Sequence, residues 1–255
     1  MLKIINSGCN GNMGRVVASI AAADPDVSVV AGFDIAANEL PENNPTDYPV
    51  YADPSEFAGV ADVIIDFSNP AALDGLLNYG LSKNIPLILC TTGYAPDQIT
   101  AIQKAAEQIP LLLSGNMSLG INLLVDLIKR ACAVLGDGFD VEITERHHRR
   151  KIDAPSGTAL LLADAAASAL PYDCEYVFER ESRRQPRSAR EIGISSVRGG
   201  TIIGVHDVIF AGLDEMIELR HTASSRDIFA VGAIRAAKFI AGKVPRMYTM
   251  KDVLG

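Results

Sequence analysis

Through the first 116 residues, short apolar runs alternate with stretches whose apolar positions recur at helical spacing. The runs are Leu2 to Asn6, Val27 to Phe33, Val60 to Phe67, Ile85 to Cys90 and Ile109 to Leu113, and the helical stretches are Met13 to Ala23, Pro70 to Lys83 and Asp97 to Gln108. Strands that are apolar on both faces must be covered on both, so strands of this kind separated by helices predict a doubly wound parallel sheet. Helical spacing continues at Leu119, Leu123, Leu124, Leu127, Ile128 and Val134, a plausible exit from a first domain. The period then changes to two in Phe139 to Glu145, in parts of Ile192 to Phe210 and in Met216 to Leu219, which predicts a smaller α+β domain around a mixed or antiparallel sheet. Helices are expected at Ala159 to Leu170 and Ile228 to Ala241. The expected division is 1–118, 119–226 and a helical segment 227–255 that returns to the first domain.

Composition narrows the class. At 255 residues, with 48% hydrophobic and 21% charged residues, the chain is globular rather than disordered or fibrous. A net charge of −8 argues against a nucleic-acid or anionic-membrane surface. No apolar run approaches about 18 residues, and the first polar residues come too early for a signal-peptide core. The scattered Cys9, Cys90, Cys132 and Cys174 form no CxxC pair, which removes zinc-ribbon and thioredoxin readings. A cytoplasmic protein with free thiols and no metal is expected.

Ser7-Gly8-Cys9-Asn10-Gly11-Asn12-Met13-Gly14-Arg15 follows the first strand and opens the first helix. Its glycines permit positive φ and close backbone approach, so a pyrophosphate fits on the helix's free amides. The common fingerprint is G-x-G-x-x-G, and here Asn10 stands at its middle glycine. Asp34 follows Gly14 by 20 residues at the end of the second strand, where an acid binds the adenosine ribose of a Rossmann-like domain. No Lys or Arg occurs between Val16 and Ser82, so the usual partner of a 2′-phosphate is missing and Arg15 alone is near in sequence. NADH is therefore the expected cofactor, with NADPH use possible. Other strand ends carry Phe67-Ser68, Thr91-Thr92-Gly93 and Ser114-Gly115-Asn116-Met117, suited either to a nicotinamide ribose and carboxamide or to ordinary turns.

The most unusual stretch runs from Glu145 to Ala159, where His147, His148, Arg149, Arg150 and Lys151 lead into Asp153-Ala154-Pro155-Ser156-Gly157-Thr158. The amides of Gly157 and Thr158 and the hydroxyls of Ser156 and Thr158 suit a carboxylate at a helix start. His147 or Lys151 beside it can supply a proton. A solvated basic turn does not explain paired histidines entering an anion-binding turn. The run lacks the aromatics of a nucleic-acid patch, and His206 and His221 have no metal-ligand spacing.

These segments together resemble the 4-hydroxy-tetrahydrodipicolinate reductase (dihydrodipicolinate reductase) family. The resemblance rests on G-x-x-G-x-M-G at Gly8 to Gly14, E-x-H-H-x-x-K-x-D-A-P-S-G-T-A at Glu145 to Ala159, Val197-Arg198-x-Gly200-x-x-x-Gly204-x-His206, and His221-x-Ala223-Ser224-Ser225-Arg226. It implies NAD(P)H-dependent reduction of a cyclic unsaturated dicarboxylate to tetrahydrodipicolinate in lysine and diaminopimelate synthesis. It implies a dinucleotide-binding domain over 1–118, a substrate-binding and oligomerisation domain over 119–226, and a homotetramer. His147 and Lys151 become the expected catalytic residues, and His148, Ser156, Gly157 and Thr158 the substrate ligands. Gly8, Cys9, Asn10, Gly11, Asn12, Met13, Asp34, Thr91, Thr92, Gly93, Ser114, Gly115, Asn116 and Met117 become the expected cofactor ligands. Two places depart from the family pattern: Ile35 replaces an arginine often found there, which favours NADH, and Cys90 replaces a glycine before the two threonines.

Three other readings stay open on sequence: an amine or amino-acid dehydrogenase, an aldehyde dehydrogenase using Cys90, and a non-catalytic NAD sensor. Arg180, Arg183, Arg184, Arg187 and Arg190, around Gln185-Pro186, read as a flexible solvated loop, with a lid or subunit contact as the lesser alternative.

Overall fold

The computed structural model describes residues 1–37 and 47–255 and divides into two compact units, Met1–Leu119 with Asp227–Gly255, and Gly120–Arg226. In chain order the elements are β1 (Leu2–Ser7), α1 (Asn12–Ala23), β2 (Val27–Phe33), β3 (Val50–Tyr51), β4 (Val63–Asp66), α2 (Leu73–Lys83), β5 (Leu87–Leu89), α3 (Pro96–Ala106), β6 (Leu111–Leu113) and α4 (Leu119–Leu135). There follow β7 (Asp140–His147), α5 (Gly157–Ala167), β8 (Glu175–Val177), β9 (Glu191–Arg198), β10 (Gly204–Ala211), β11 (Met216–Ala223), α6 (Asp227–Ile240), β12 (Met247–Tyr248) and α7 (Met250–Leu254).

The first unit is a seven-stranded parallel sheet ordered β12-β6-β5-β4-β1-β2-β3. Its strands are apolar at consecutive positions because both faces are covered. Ile4, Val63, Ile65, Ile88 and Leu112 share one core with α1 and α6. Their neighbours Ile5, Ile64, Leu87, Leu89 and Leu111 share the opposite core with α2 and α3. Several strands are shorter than their apolar runs. Val60, for example, is 71% exposed and precedes the ladder of β4. The two-residue strands β3 and β12 carry too little pattern to be read from sequence.

The second unit is a mixed five-stranded sheet ordered β11-β10-β7-β9-β8, antiparallel at β10–β11 and β10–β7 and parallel at β7–β9 and β8–β9. Val141, Ile143, Ile192, Ile194, Val208 and Phe210 on one face pack with α4 and α5. The short edge strand β8 is another element the period did not reveal.

The arginine cluster corrects an expectation. Arg187 is bound to Asp140 at 2.7 Å and to Glu142 at 2.9 Å, and Arg180 reaches Glu191 at 2.6 Å. Arg183 pairs with Glu175 at 2.7 Å, and Arg190 lies over the Tyr172 ring. These arginines fasten the segment before β9 to carboxylates at or near the starts of β7, β8 and β9, although Arg180 and Arg190 themselves stay exposed. Among the described residues, no helix is long and apolar enough to cross a membrane.

Candidate active site

In the first unit the strand order reverses at β1, between β2 and β4, where an open α/β sheet leaves a crevice beyond its carboxyl ends. Gly8 there has φ +74°, and a Cβ on it would lie 2.8 Å from Ser68 Cα, so only glycine lets the loop rest on the chain leaving β4. A Cβ on Gly14 would lie 2.2 Å from the Gly8 carbonyl oxygen, which fixes α1 tightly against the same loop. Buried Asn6 donates from Nδ2 to the Gly14 carbonyl at 2.8 Å and holds this packing from the strand side.

The resulting cleft has a volume of about 750 Å³. Gly8, Asn10, Gly11, Asp34, Asp53 and Ser68 are among its lining residues, and none of the described lining residues is a lysine or arginine. The Asp34 carboxylate accepts from the amides of Asn10 at 3.0 Å and Ala36 at 3.1 Å, which fixes it beside the glycine loop. Arg15 is exposed and lines a different cavity with Asp47 and Tyr48. The cradle, the amide-rich start of α1 and the carboxylate beside them fit a dinucleotide.

Some residues expected at the cofactor turn inward. Cys9 is 1% exposed, and burial followed by the charge of Asp34 pushes its thiol up to about 12. Met117 lies in the core, and Met13 packs against the same core. Thr91 is buried and donates its hydroxyl to Asp66 at 2.8 Å. The side chains of these four are thus engaged with the protein itself. Asn12, Thr92, Gly93 and Gly115 are exposed, and the Ser114 hydroxyl donates to the Asn116 carbonyl at 2.9 Å. Cys90 is buried with its thiol driven well up by burial and by Asp66, which leaves the aldehyde-dehydrogenase reading without a nucleophile. Sequence reasoning missed Asp66. Fully buried at the end of β4, it accepts from the Ser68 amide and hydroxyl as well as from Thr91, and so joins two of the turns at the strand ends.

In the second unit the core-facing side of the sheet changes character along its length. Val141 and Ile143 of β7 are succeeded, at the same parity, by Glu145 and His147. Phe210 and Val208 of β10 give way likewise to His206, and Ile192 and Ile194 of β9 to Ser196 and Arg198. The register sets His221, His206, Glu145 and Ser196 in one cross-strand row, with His147 opposite Arg198 in the next.

Glu145, with no exposed surface, is the hub. It accepts from His147 Nδ1 at 2.6 Å, from Arg198 Nη1 and Nη2 at 2.7 and 2.6 Å, and from the Ser156 amide at 3.1 Å. Burial alone would raise its pKa, but the Arg198 guanidinium and then His147 overcome this and hold it down at about 2. His206 is held down at about 4 by burial, with the His147 charge adding to the effect. His148 is also lowered, by burial and then by Arg226 and Arg150. Lys151 pairs with Asp153 at 2.8 Å, and Arg198 donates to the Asp153 carbonyl at 2.6 Å, which ties the loop after β7 back to the sheet.

Ser156 departs from its expected part. Its side chain caps α5 by accepting from the Ala159 amide at 3.1 Å, and it lies 3.1 Å from His206 Nε2. The hydroxyl expected at the substrate is thus committed to holding the turn. Gly157 is exposed in the first turn of α5, and Thr158 is half-buried beside it. Glu145, Arg198 and His206 were not singled out as site residues from sequence, although strand parity placed each on the core-facing side.

A dinucleotide cradle in one unit and, in the other, a proton-bearing row beside an amide-rich helix start define a nicotinamide-dependent oxidoreductase. Residues 2–117 match the N-terminal family described as dihydrodipicolinate reductase, N-terminus, and residues 120–254 match its C-terminal counterpart. The chain is 47% identical over 254 residues to 4-hydroxy-tetrahydrodipicolinate reductase of Caldanaerobacter subterraneus subsp. tengcongensis, covering 100% of this chain and 98% of that protein. It therefore belongs to the 4-hydroxy-tetrahydrodipicolinate reductase family, oxidoreductases of lysine and diaminopimelate synthesis. The fold matches dipicolinate-bound dihydrodipicolinate reductase from Paenisporosarcina sp. TG-14 with a TM-score of 0.83 at 23% identity, covering 99% of this chain and 98% of that one. An amine dehydrogenase from Mycobacterium smegmatis matches at a TM-score of 0.63 and 12% identity, covering 100% of this chain and 96% of that one, a likeness of fold alone. The alternative reading as an amine dehydrogenase is not favoured.

Proposed function

We propose that the chain reduces 4-hydroxy-tetrahydrodipicolinate with NADH in preference to NADPH, and that the substrate is held as a small dicarboxylate by the loop after β7 and the start of α5. The observation that carries the cofactor preference is the cleft wall, which presents Asp34 and Asp53 without a cation among its described residues. A 2′-phosphate there meets carboxylates and forgoes charge-assisted bonds worth about 1.5–3 kcal/mol each. Gly8, Gly11 and the amides of Cys9, Asn10, Asn12 and Met13 are assigned to the pyrophosphate and Asp34 to the ribose. The strand-end turns at Thr91, Thr92 and Gly93 and at Ser114, Gly115, Asn116 and Met117 are assigned to the nicotinamide side.

The bound cofactor supplies the hydride. Loss of the 4-hydroxyl as water gives a conjugated C=C–C=N system, and hydride addition to that system leaves an anionic carbon or nitrogen, so a positioned acid contributes about 10²- to 10⁴-fold. His147 and Lys151 are assigned to hold that proton. His148, Lys151 and the amides of Gly157 and Thr158 neutralise the two carboxylates, with Ser156 keeping the α5 turn in place. The reading also takes the enzyme to be a cytoplasmic homotetramer, an arrangement that light scattering tests directly. The dipicolinate in the Paenisporosarcina enzyme supports a dicarboxylate ligand for this chain too.

Lys151→Ala and His147→Gln test the proton assignment. Each is expected to lower kcat at least about tenfold while NADH binding, read by fluorescence, stays unchanged. Near-wild-type turnover in either variant removes that residue from the mechanism.

A further inference from the structure

The geometry points to Glu145 as the positioning residue of His147: it fixes the imidazole as its Nδ1–H form and presents Nε2 as the atom that exchanges the proton, with Arg198 as the opposing control. This assignment rests on the reading of His147 as a proton carrier.

Three observations carry it. The first is the bond from His147 Nδ1 to Glu145 Oε2, 2.6 Å long, between two residues of one strand face. A carboxylate accepts only, so the proton of this bond sits on Nδ1 and the lone pair or second proton sits on Nε2. The second is Gly204. A Cβ on it would come within 3.2 Å of His147 Nε2, so the bare glycine spares Nε2 a side-chain contact from that position of β10. The third is that Glu145 cannot turn away. Two Arg198 nitrogens and the Ser156 amide occupy it while its exposure is zero, so its orientation is set by β9 and the α5 turn together.

His147 therefore faces two opposed charges. Glu145 favours the imidazolium and Arg198, across the register on β9, disfavours it. The remaining groups around it are His206 of β10, held neutral, His221 of β11, and His148, Lys151 and Asp153 of the loop after β7, with Arg150 and Arg226 acting on His148. None of these forms a second bond to Nδ1. Glu145 meets the ring at Nδ1 and not at Nε2, so it acts through His147.

The two neighbours make opposite predictions, which a purely structural role does not. The chain's four histidines all lie in this region, so selectively isotope-labelled histidine in the intact enzyme gives a spectrum of four rings, with His147→Gln assigning one. In the wild type, nitrogen shifts are expected to show the neutral ring protonated at Nδ1. Glu145→Gln should lower the His147 titration midpoint by about one unit or more, a tenfold loss in proton affinity. Arg198→Gln should raise the midpoint, and Glu145→Asp should restore part of what Glu145→Gln loses. Shifts of the same sign in Glu145→Gln and Arg198→Gln, or no shift, overturn the assignment, as does an Nε2–H ground state. If Glu145→Gln does not fold, the direction of the Arg198→Gln shift decides alone. The kcat–pH profile then separates the two claims. A limb that follows the His147 midpoint in each variant, at unchanged KM for NADH, supports both. A limb that stays fixed while the midpoint moves contradicts His147 as the donor and leaves its positioning by Glu145 standing.

Discussion

A carboxylate, an imidazole and a guanidinium stand where a sheet would otherwise carry valine or isoleucine, and they are tolerated because they pair with one another. An isolated buried charge costs several kcal/mol, whereas Glu145 is met by a two-nitrogen contact with Arg198, a backbone amide and His147. The signal for this was present in the sequence. Glu145 and His147 share the parity of Val141 and Ile143, His206 that of Val208 and Phe210, and Arg198 that of Ile192 and Ile194. What concealed it is that charged residues in an alternating strand normally mark its wet face. The glycine loop and Asp34 were legible because spacing alone encodes them. The commitment of the Ser156 hydroxyl to a helix cap was not, because a cap and a ligand site use the same atom. At this scale the cofactor reading predicts that Ile35→Arg, which adds a cation beside Asp34, raises kcat/KM for NADPH at least about tenfold, the lower value of one charge-assisted bond. Steady-state assays with both cofactors check it, and an unchanged ratio argues against the 2′-phosphate as the discriminating group.

Elements were legible wherever burial on both faces or one face left a long pattern, as in β2, β7 and α4. They were missed where pairing rather than composition defines them, as with β3, β8 and β12, two or three residues each. The packing of α6 was beyond sequence as well. Its Ala230, Ala233, Ala236 and Ala237 are fully buried, and a Cβ on Gly232 would come within 1.8 Å of the Met117 carbonyl oxygen. The helix approaches the turn after β6 to a distance that only glycine permits. Gly232→Ala is therefore expected to destabilise the enzyme by about 1–3 kcal/mol through overpacking, and to weaken NADH binding because the Met117 turn must shift. Thermal denaturation and cofactor titration measure the two effects. A melting temperature equal to that of the wild type contradicts this packing.

Across the whole molecule the charge is unevenly spread, with 16 acidic and 6 basic residues in 1–140 against 15 and 17 in 141–255. The acidic excess matches the cleft beside Asp34, whose described lining residues include no lysine or arginine, and much of the basic share serves Glu145, the β7 to β9 ion pairs and the loop after β7. This distribution gives the stability a definite dependence on pH. His206 and Glu145 both have folded values below their ordinary ones, at about 4 and about 2. The unfolded chain therefore takes up protons first as the solution is acidified. Their contribution is complete at neutral pH. It declines as pH falls from the ordinary histidine range through about 4, and then from the ordinary carboxylate range through about 2. For Glu145 the full difference corresponds to about 3 kcal/mol. Denaturant midpoints are expected to fall in those two stages, with Glu145→Gln flattening the lower one; a midpoint insensitive to acid down to the carboxylate range contradicts the burial of this network.

The account as a whole is tested most directly by following absorbance as NADH and NADPH are oxidised in the presence of the condensation product of pyruvate and aspartate-semialdehyde. Oxidation dependent on that substrate, with the higher kcat/KM for NADH, is the predicted result. Absence of substrate-dependent oxidation contradicts the reductase assignment, and a higher kcat/KM for NADPH contradicts the reading of the acidic cleft.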